Sequence, residues 1–362
     1  MLIVAGGVCG APQGPSFTRS VIARRRRSKL KPVFNIIFVP GTVRYLRLAV
    51  ASLLHFSGYS FRLVANGLDR AERQLLADYC DSSPRLEYFD YPVSRMLDHG
   101  TMLNVLFQRE ASPWFAMADS DIFAVAPFEA ELESALEECD VFSSCLPLSM
   151  PPEMVLAGFS GRCLETPGGL PLAPTYFSLY RTGPFRRIIG ESRIGFEVYH
   201  PGRFLPELPE AVRTDDLLQA RRLDTAKLLN VVASGYGVRF RHRELDALVH
   251  IGGISRKRGN WRESWRRRFR GWGDVTEARI EREVRRRSRN KGAVEPGSIA
   301  AQNILSRALR TPLSDYFTAW FEHLFDGAPE PRFTLPDPRL QQRVERLRKV
   351  LGELYEAHPE IR

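Results

Sequence analysis

Short apolar runs in the first part of the chain alternate with segments in which apolar residues recur every three or four positions. The apolar runs at 32–40, 61–65 and 85–89 predict β-strands, and the periodic segments at 43–54 and 68–80 predict helices between them. Strands that alternate with helices in this way pair in parallel through right-handed crossovers. The pattern therefore predicts an α/β fold, a doubly wound sheet flanked by helices.

The residues that follow each predicted strand are the first candidates for a binding site, because ligands of such sheets lie at the carboxyl ends of the strands. The first strand ends in the turn Pro40-Gly41-Thr42, and the second ends in Asn66-Gly67. We expect these two turns to lie at the same edge of the sheet.

The most informative stretch runs from Trp114 to Val125. Its apolar first half predicts a strand that is buried on both faces, and this run ends at Asp119-Ser120-Asp121 before apolar residues resume. Carboxylates are rare at the end of a buried strand unless they are paired or bind a cation. Carboxylate oxygens suit Mg²⁺ and Mn²⁺. From the residues alone, a metal site and an exposed acidic turn both remain open.

Two positions later in the chain are further candidates. Asp224 precedes an apolar segment that predicts a helix up to Gly235, a position that is typical of a helix cap. Asp215-Asp216 is a competing acidic pair. His250 follows an apolar run and precedes two glycines, which fits either a core histidine or a metal ligand.

Taken together, the apolar strand, the Asp-x-Asp motif and its apolar continuation resemble the GT-A fold glycosyltransferases, the class that includes family 2. The segment Gly100–Asn104 resembles the Gly-containing loop and helix that members carry before their aspartates. The resemblance implies a mixed sheet and the transfer of a sugar from a UDP- or GDP-linked donor to a glycan, lipid-linked or small-molecule acceptor. It implies that Asp119, Asp121 and His250 hold Mn²⁺ or Mg²⁺.

The resemblance also implies roles for other residues. Asp224 matches the general base of inverting members, although Leu223 stands where they usually carry a glutamate. The residues expected to bind the donor are Pro40, Gly41, Thr42, Asn66, Gly100, Asp119, Ser120, Gly252, Gly253 and Arg256. The chain lacks the Gly-x-Gly-Thr-Arg loop of the related sugar-phosphate nucleotidyltransferases, which remain an alternative class.

The middle of the chain has little periodicity. The Pro- and Gly-rich stretch 146–174 is a candidate wall of the acceptor site, because long irregular loops in compact domains are often functional. A strand at 176–181 is expected to end in the turn 182–184, and 188–209 is expected to be irregular. The aromatic residues of this region suit either a sugar ring or the core: Phe196, Tyr199 and Phe204.

Charge is concentrated in one segment. The chain has a formal net charge of +10, and residues 256–291 contain fifteen Arg or Lys against five Asp or Glu. This segment is interpreted as a lid over the donor's diphosphate or a helix that contacts an anionic membrane. A nucleic-acid patch and a plain solvated surface are the alternatives. Its aromatic residues are Trp261, Trp265, Phe269 and Trp272.

The chain is therefore expected to comprise a basic, poorly ordered arm at 1–32, a GT-A-like catalytic domain at 33–255, a basic aromatic segment at 256–296 and C-terminal helices at 297–362. Among the C-terminal helices, separate helical stretches are predicted at 299–309 and 313–325. The last helix, 340–358, is expected to pack on the domain or on a second copy of the chain. Five cysteines without close pairs favour a reduced, cytoplasmic protein. Membrane contact is expected to be peripheral, and nucleic acid is not an expected partner. A basic nucleic-acid- or membrane-binding module without catalysis is the non-enzymatic alternative.

Overall fold

The structure, a computed structural model, describes most of the chain after residue 30. The described residues are 31–92, 95–150, 164–166, 168–200, 208, 210–215, 217, 220, 222–254, 272–289, 294–295, 298–335 and 337–362. The predicted positions Asp216, Phe204 and Arg256 lie outside these residues, as do most of the N-terminal arm and the first part of the basic aromatic segment.

The first five elements alternate between strand and helix, as the pattern predicts. They are β1 (Val33–Phe38), α1 (Val43–His55), β2 (Ser60–Ala65), α2 (Arg70–Asp81) and β3 (Leu86–Asp90). β1 pairs in parallel with β2, and β2 pairs in parallel with β3. α2 begins two residues later than the periodicity suggests, because the Asp69 side chain accepts a hydrogen bond from the Glu72 N–H and caps the helix there.

The remaining elements of the first half lead into the Asp-x-Asp motif and away from it. They are α3 (His99–Arg109), β4 (Trp114–Ala118), β5 (Ile122–Ala124), α4 (Glu129–Leu136), β6 (Val141–Ser144) and β7 (Phe177–Arg181). Asp98 stands at the N-cap position of α3, but its side chain makes no capping hydrogen bond.

The second half contains more helix. Its elements are α5 (Thr182–Ser192), α6 (Lys227–Gly235), β8 (Phe240–His242), β9 (Leu248–His250), β10 (Val275–Thr276), α7 (Glu277–Ser288), α8 (Ile299–Asp326), β11 (Phe333–Thr334) and α9 (Pro338–Ala357), with short 3₁₀ helices at Glu210–Val212 and Pro359–Ile361.

One seven-stranded sheet forms the centre of the fold, with the order β3-β2-β1-β4-β7-β6-β8. β4 is parallel to β1, whereas β7 runs antiparallel to both β4 and β6. The predicted α/β class, with a mixed sheet flanked by helices and followed by C-terminal helices, is confirmed. A second, two-stranded sheet pairs β5 with β9 in antiparallel register.

Three local expectations are wrong. The predicted turn 182–184 and the start of the predicted irregular stretch form α5, because proline is tolerated in the first turn of a helix and Phe185 and Ile188 are buried on its inner side. The helix after Asp224 begins only at Lys227, behind the left-handed Ala226, so Asp224 is not its N-cap.

The third expectation concerns the C-terminal region, where Pro312 suggests a break between two helices. α8 continues through Pro312 as one helix of 28 residues. A proline in a helix interior removes one hydrogen bond and strains the preceding turn. The residues that follow it, Leu313, Tyr316 and Phe317, are completely buried, and this burial offsets the cost.

The C-terminal helices belong to the same apolar core as the sheet. Side chains of α8 and α9 form one buried cluster with residues of β1, β2 and α1. The helices α1 and α9 pack directly against each other. Among the described helices, none combines the length and the apolar content needed to cross a bilayer.

Candidate metal and donor site

Asp119, Asp121 and His250 converge at one point, with one ligand atom from each lying within 4.8 Å of the others. The Nε2 atom of His250 lies 3.2 Å from Oδ1 of Asp121 and 3.7 Å from Oδ2 of Asp119. Neighbouring donor atoms on an octahedral cation with bonds of about 2.1 Å are roughly 3 Å apart. The spacing of the three groups therefore fits a divalent cation between them.

Two sheets bring these residues together. β4 belongs to the large sheet and β5 to the small one, and Asp119 and Asp121 lie in the turn that joins them. β9 pairs with β5 so that His250 lies opposite Ile122, the residue directly after Asp121. The antiparallel pairing of β5 with β9 thus brings His250 beside the aspartates, although it lies far from them in the sequence.

The tautomer of His250 is fixed by its other ring nitrogen. Nδ1 lies 3.0 Å from the carbonyl oxygen of Cys145, and a carbonyl only accepts, so Nδ1 carries a proton. Nε2 is therefore the atom that faces the carboxylates. A histidine that ligates a metal commonly donates its second N–H to a carbonyl or carboxylate in this way.

Burial and charge act against each other at the Asp121–His250 pair. Both side chains are almost completely buried. Burial alone would raise the pKa of Asp121. The charge and the hydrogen bond of His250 act in the opposite direction, as does the Ile254 N–H, which donates to Oδ2 of Asp121. Together they hold the pKa of Asp121 below its usual value. Burial would lower the pKa of His250, and Asp121 raises it above the usual value instead. The two side chains thus favour each other's charged forms.

Cys145 holds its carbonyl toward His250 in an unusual conformation. Its φ of 64° lies in the left-handed region, which is uncommon for residues other than glycine. Its side chain is buried. Strained backbone of this kind is concentrated at functional sites. The sequence carries no signal for this residue, because its contribution to the site is a backbone carbonyl.

The turns after β1 and β2 lie at the same edge of the sheet as the aspartates, because the three strands are parallel neighbours. The Gly41 N–H is bonded to the Glu72 carboxylate, 2.9 Å from Oε1. The Thr42 hydroxyl donates to the carbonyl of Val39. Pro40 begins this turn. Donor contact by these residues stays a prediction.

Asn66 and Gly100 have packing roles in the described structure. The Asn66 amide is bonded in both directions to the backbone of Leu97, donating to its carbonyl and accepting its N–H. A Cβ on Gly100 would lie 2.3 Å from the carbonyl oxygen of Phe196. These contacts explain both residues without a ligand, and their predicted donor contact is untested, as is that of the buried Ser120.

Asp224 is not one of the three grouped ligands and lies near His99, the first residue of α3. Its Oδ1 accepts the Thr225 N–H and lies 3.6 Å from Nη2 of Arg222. Burial lowers the pKa of His99 to about 4, and the charge of Asp224 opposes this effect. Asp224 and His99 are therefore close enough to interact. The competing residue Asp215 is exposed.

Of the aromatic residues in the middle of the chain, some lie in the apolar core and one lies beside a candidate metal ligand. Phe196 and Tyr199 are buried, and the ring of Phe196 packs against Phe107 and Phe115, so the core interpretation applies to them. Tyr176, which the sequence analysis did not consider as a site residue, has its ring centroid 4.7 Å from that of His250.

The described part of the basic segment includes β10 and α7, and α7 packs along α8. Several of its arginines pair with glutamates of the same helix, including Arg285 with Glu281 and Arg286 with Glu283. This half of the segment is thus partly neutralised by its own acidic residues. The lid and membrane interpretations stay predictions for 256–296, of which 256–271 lies outside the described residues.

No protein-family model matches the chain, and no curated protein matches it. Among solved structures, TarS 1–349 from S. aureus is 13% identical, with a TM-score of 0.36 and coverage of 90% of this chain and 91% of that one. The mannosyltransferase PcManGT from Pyrobaculum calidifontis, solved with GDP-Man and Mn²⁺, is 12% identical, with a TM-score of 0.36 and coverage of 91% and 88%.

A third similar structure belongs to a different class. It is a putative glucose-1-phosphate thymidylyltransferase from Bacillus anthracis, 11% identical, with a TM-score of 0.37 and coverage of 63% of this chain and 94% of that one. Likenesses of this size are too distant to assign an activity. The function is therefore argued from the site.

Proposed function

We propose that this chain is a metal-dependent glycosyltransferase that takes a sugar from a UDP- or GDP-linked donor. The observation that supports it most is the meeting of Asp119, Asp121 and His250 at the carboxyl end of β4, with the His250 tautomer fixed toward the carboxylates. Two carboxylates and one imidazole suit Mn²⁺. Mg²⁺ prefers oxygen ligands, so it would bind mainly through the two carboxylates. A cation bound there would offset the negative charge of the donor's diphosphate.

In the proposed reaction, the bond between the sugar C1 and the diphosphate oxygen breaks, and a bond forms between C1 and an acceptor oxygen. The acceptor hydroxyl loses its proton to a base, and the nucleoside diphosphate leaves. Asp224 is our candidate for the base if the configuration at C1 inverts. The acceptor is a glycan, a lipid-linked sugar or a small hydroxyl compound.

Calorimetric titration of the full chain with UDP and GDP, with Mn²⁺ and with EDTA, tests the proposal. We expect binding that requires Mn²⁺ and is lost in Asp121→Asn, because the variant removes a buried ligand charge. Asp90→Asn is the matched control, since Asp90 also ends a parallel strand of this sheet but pairs with Arg73. Binding that survives both EDTA and Asp121→Asn would overturn the proposal.

The base is tested separately, by the rate of sugar transfer with an active donor and acceptor pair. Removing a general base typically slows the reaction by about 10²–10⁴-fold. We expect Asp224→Asn to lower kcat by this factor and to leave nucleotide binding unchanged, whereas Asp215→Asn has little effect. A larger loss of kcat in Asp215→Asn than in Asp224→Asn would instead assign the base to the pair Asp215-Asp216.

A further inference from the structure

The turn Gly252–Gly253 lies between the candidate metal ligands and helix α8. Both glycines have positive φ, at 79° and 93°. A Cβ on Gly252 would lie 3.7 Å from Nε2 of His250, and a Cβ on Gly253 would lie 3.5 Å from Nε of Arg310. Because consecutive Cα atoms are about 3.8 Å apart, the imidazole and the guanidinium flank the same short turn.

Arg310 brings positive charge to this position. Within the described part of the chain, neither Arg310 nor its neighbour Arg307 takes part in an ion pair. Burial lowers the pKa of the nearby Arg287, and the charges of Arg286, Arg307 and Arg310 lower it further, although Glu283 opposes them. Cations held close together in this way favour an anion among them.

A second, independent observation comes from Ser314, one helical turn after Arg310. Its hydroxyl is buried, and among the described residues it has no hydrogen-bond partner. A Cβ on Gly253 would lie 3.9 Å from this hydroxyl. A buried hydroxyl without a partner is costly, so a ligand oxygen or a water is expected beside it.

We propose that Arg310 binds the diphosphate of the nucleotide-sugar donor, across the Gly252–Gly253 turn from Asp121 and His250, with the Ser314 hydroxyl as a second hydrogen-bond donor. This inference rests on the proposed function. A guanidinium presents paired N–H donors that match phosphate oxygens. Gly253 then serves to keep the space between the turn and Arg310 free of a side chain. The diphosphate is held by a cation on one side and by Arg310 on the other.

The test is calorimetry on the full chain with Mn²⁺ alone, with pyrophosphate and Mn²⁺, and with UDP or GDP and Mn²⁺. Arg310→Gln is expected to weaken pyrophosphate and nucleotide binding by about 10- to 100-fold and to leave Mn²⁺ binding unchanged, because it removes charge-assisted hydrogen bonds to phosphate. Arg310→Lys keeps the charge but loses the paired donors. Its affinity for pyrophosphate and nucleotide should therefore lie between those of the unmodified chain and Arg310→Gln.

Arg307→Gln is the matched control, since it removes the same charge from an exposed position of the same helix. If Arg310→Gln and Arg307→Gln weaken binding equally, the inference is wrong and the proposed function stands. If the unmodified chain binds Mn²⁺ but neither pyrophosphate nor nucleotide, both are wrong. The inference would also be wrong if Arg310→Gln lowered the melting temperature, Arg310→Lys did not, and the affinity for pyrophosphate stayed unchanged. Arg310 would then stabilise the fold and not bind the diphosphate.

Discussion

At the scale of single residues, the backbone of Cys145 is as important to the candidate site as any side chain. Its carbonyl fixes His250 from a left-handed conformation that β-branched residues strongly disfavour. We expect Cys145→Val to lower the free energy of unfolding by at least about 1 kcal/mol more than Cys145→Ala, and to weaken Mn²⁺ binding. Urea denaturation and Mn²⁺ titration measure the two effects.

Cys139 provides the control for this prediction, because it is equally buried but has an ordinary φ. Cys139→Val should leave Mn²⁺ affinity unchanged. If the two valine variants behaved alike in both measurements, the conformation of Cys145 would have no part in positioning His250.

His99 gives the protein a pH dependence at the residue scale. Its folded pKa of about 4 lies below the ordinary histidine value of about 6.5, so between these values the unfolded chain binds more protons than the folded one. The free energy of unfolding should therefore fall as pH decreases from 7 to 5, with up to about 2 kcal/mol from His99. Urea denaturation of the unmodified chain and of His99→Asn at both pH values measures this share. An equal pH dependence in the two proteins would refute it.

At the scale of elements, helix α3 packs closely against the loop that follows α5, because Gly100 has no side chain. A Cβ there would lie 2.7 Å from the Cα of Glu197 and closer still to a carbonyl oxygen. Gly100→Ala should destabilise the fold by about 1–3 kcal/mol, because backbone atoms must move. Gly352→Ala, in α9 with nothing within 4 Å, should instead stabilise it by roughly 0.5–1 kcal/mol. Thermal denaturation that gave both variants the same sign would contradict this account.

The elements also show how far sequence reasoning extends. Apolar runs and the 3.6-residue period were enough for β1 to β4 and for the helices α1 and α2, because each of these elements has a clear apolar stretch or face. The same reasoning failed at α5 and at Pro312 in α8, where Pro and Gly signalled turns but burial of the surrounding apolar residues decided the outcome. The local sequence predicted turns at these positions, but tertiary packing favoured helices.

The candidate site was predictable where side chains carry the signal. Asp119, Asp121 and His250 were candidates from their positions after apolar runs, and the resemblance to GT-A glycosyltransferases implied that they act as one ligand set. The structure brings the three residues together. Cys145 and Ile254 contribute backbone groups, which any residue has, so the sequence could not single them out. Arg310 lies on a helix with no motif, and only the path of the chain places it beside Gly253.

At the scale of the whole molecule, the end of the chain is joined to α1 through Arg47. This buried guanidinium donates to the carbonyl oxygens of Glu360 and Ile361. Arg47→Ala should lower the free energy of unfolding by about 2–4 kcal/mol, because it leaves both carbonyls unpaired and opens a cavity. Arg44→Ala removes an exposed ion pair with Asp326 from the same helix and should cost less than about 1 kcal/mol. Equal losses in chemical denaturation would show that burial of Arg47 has no special role.

The proposed activity depends on one divalent cation where β4 of the large sheet leads into β5 of the small one. A titration of the full chain with Mn²⁺, followed by electron paramagnetic resonance, measures that binding without any assumption about sugar or acceptor. We predict one saturable site in the unmodified chain, lost in both Asp121→Asn and His250→Gln. Saturable binding that is the same in all three proteins, or no binding in the unmodified chain, would contradict the account.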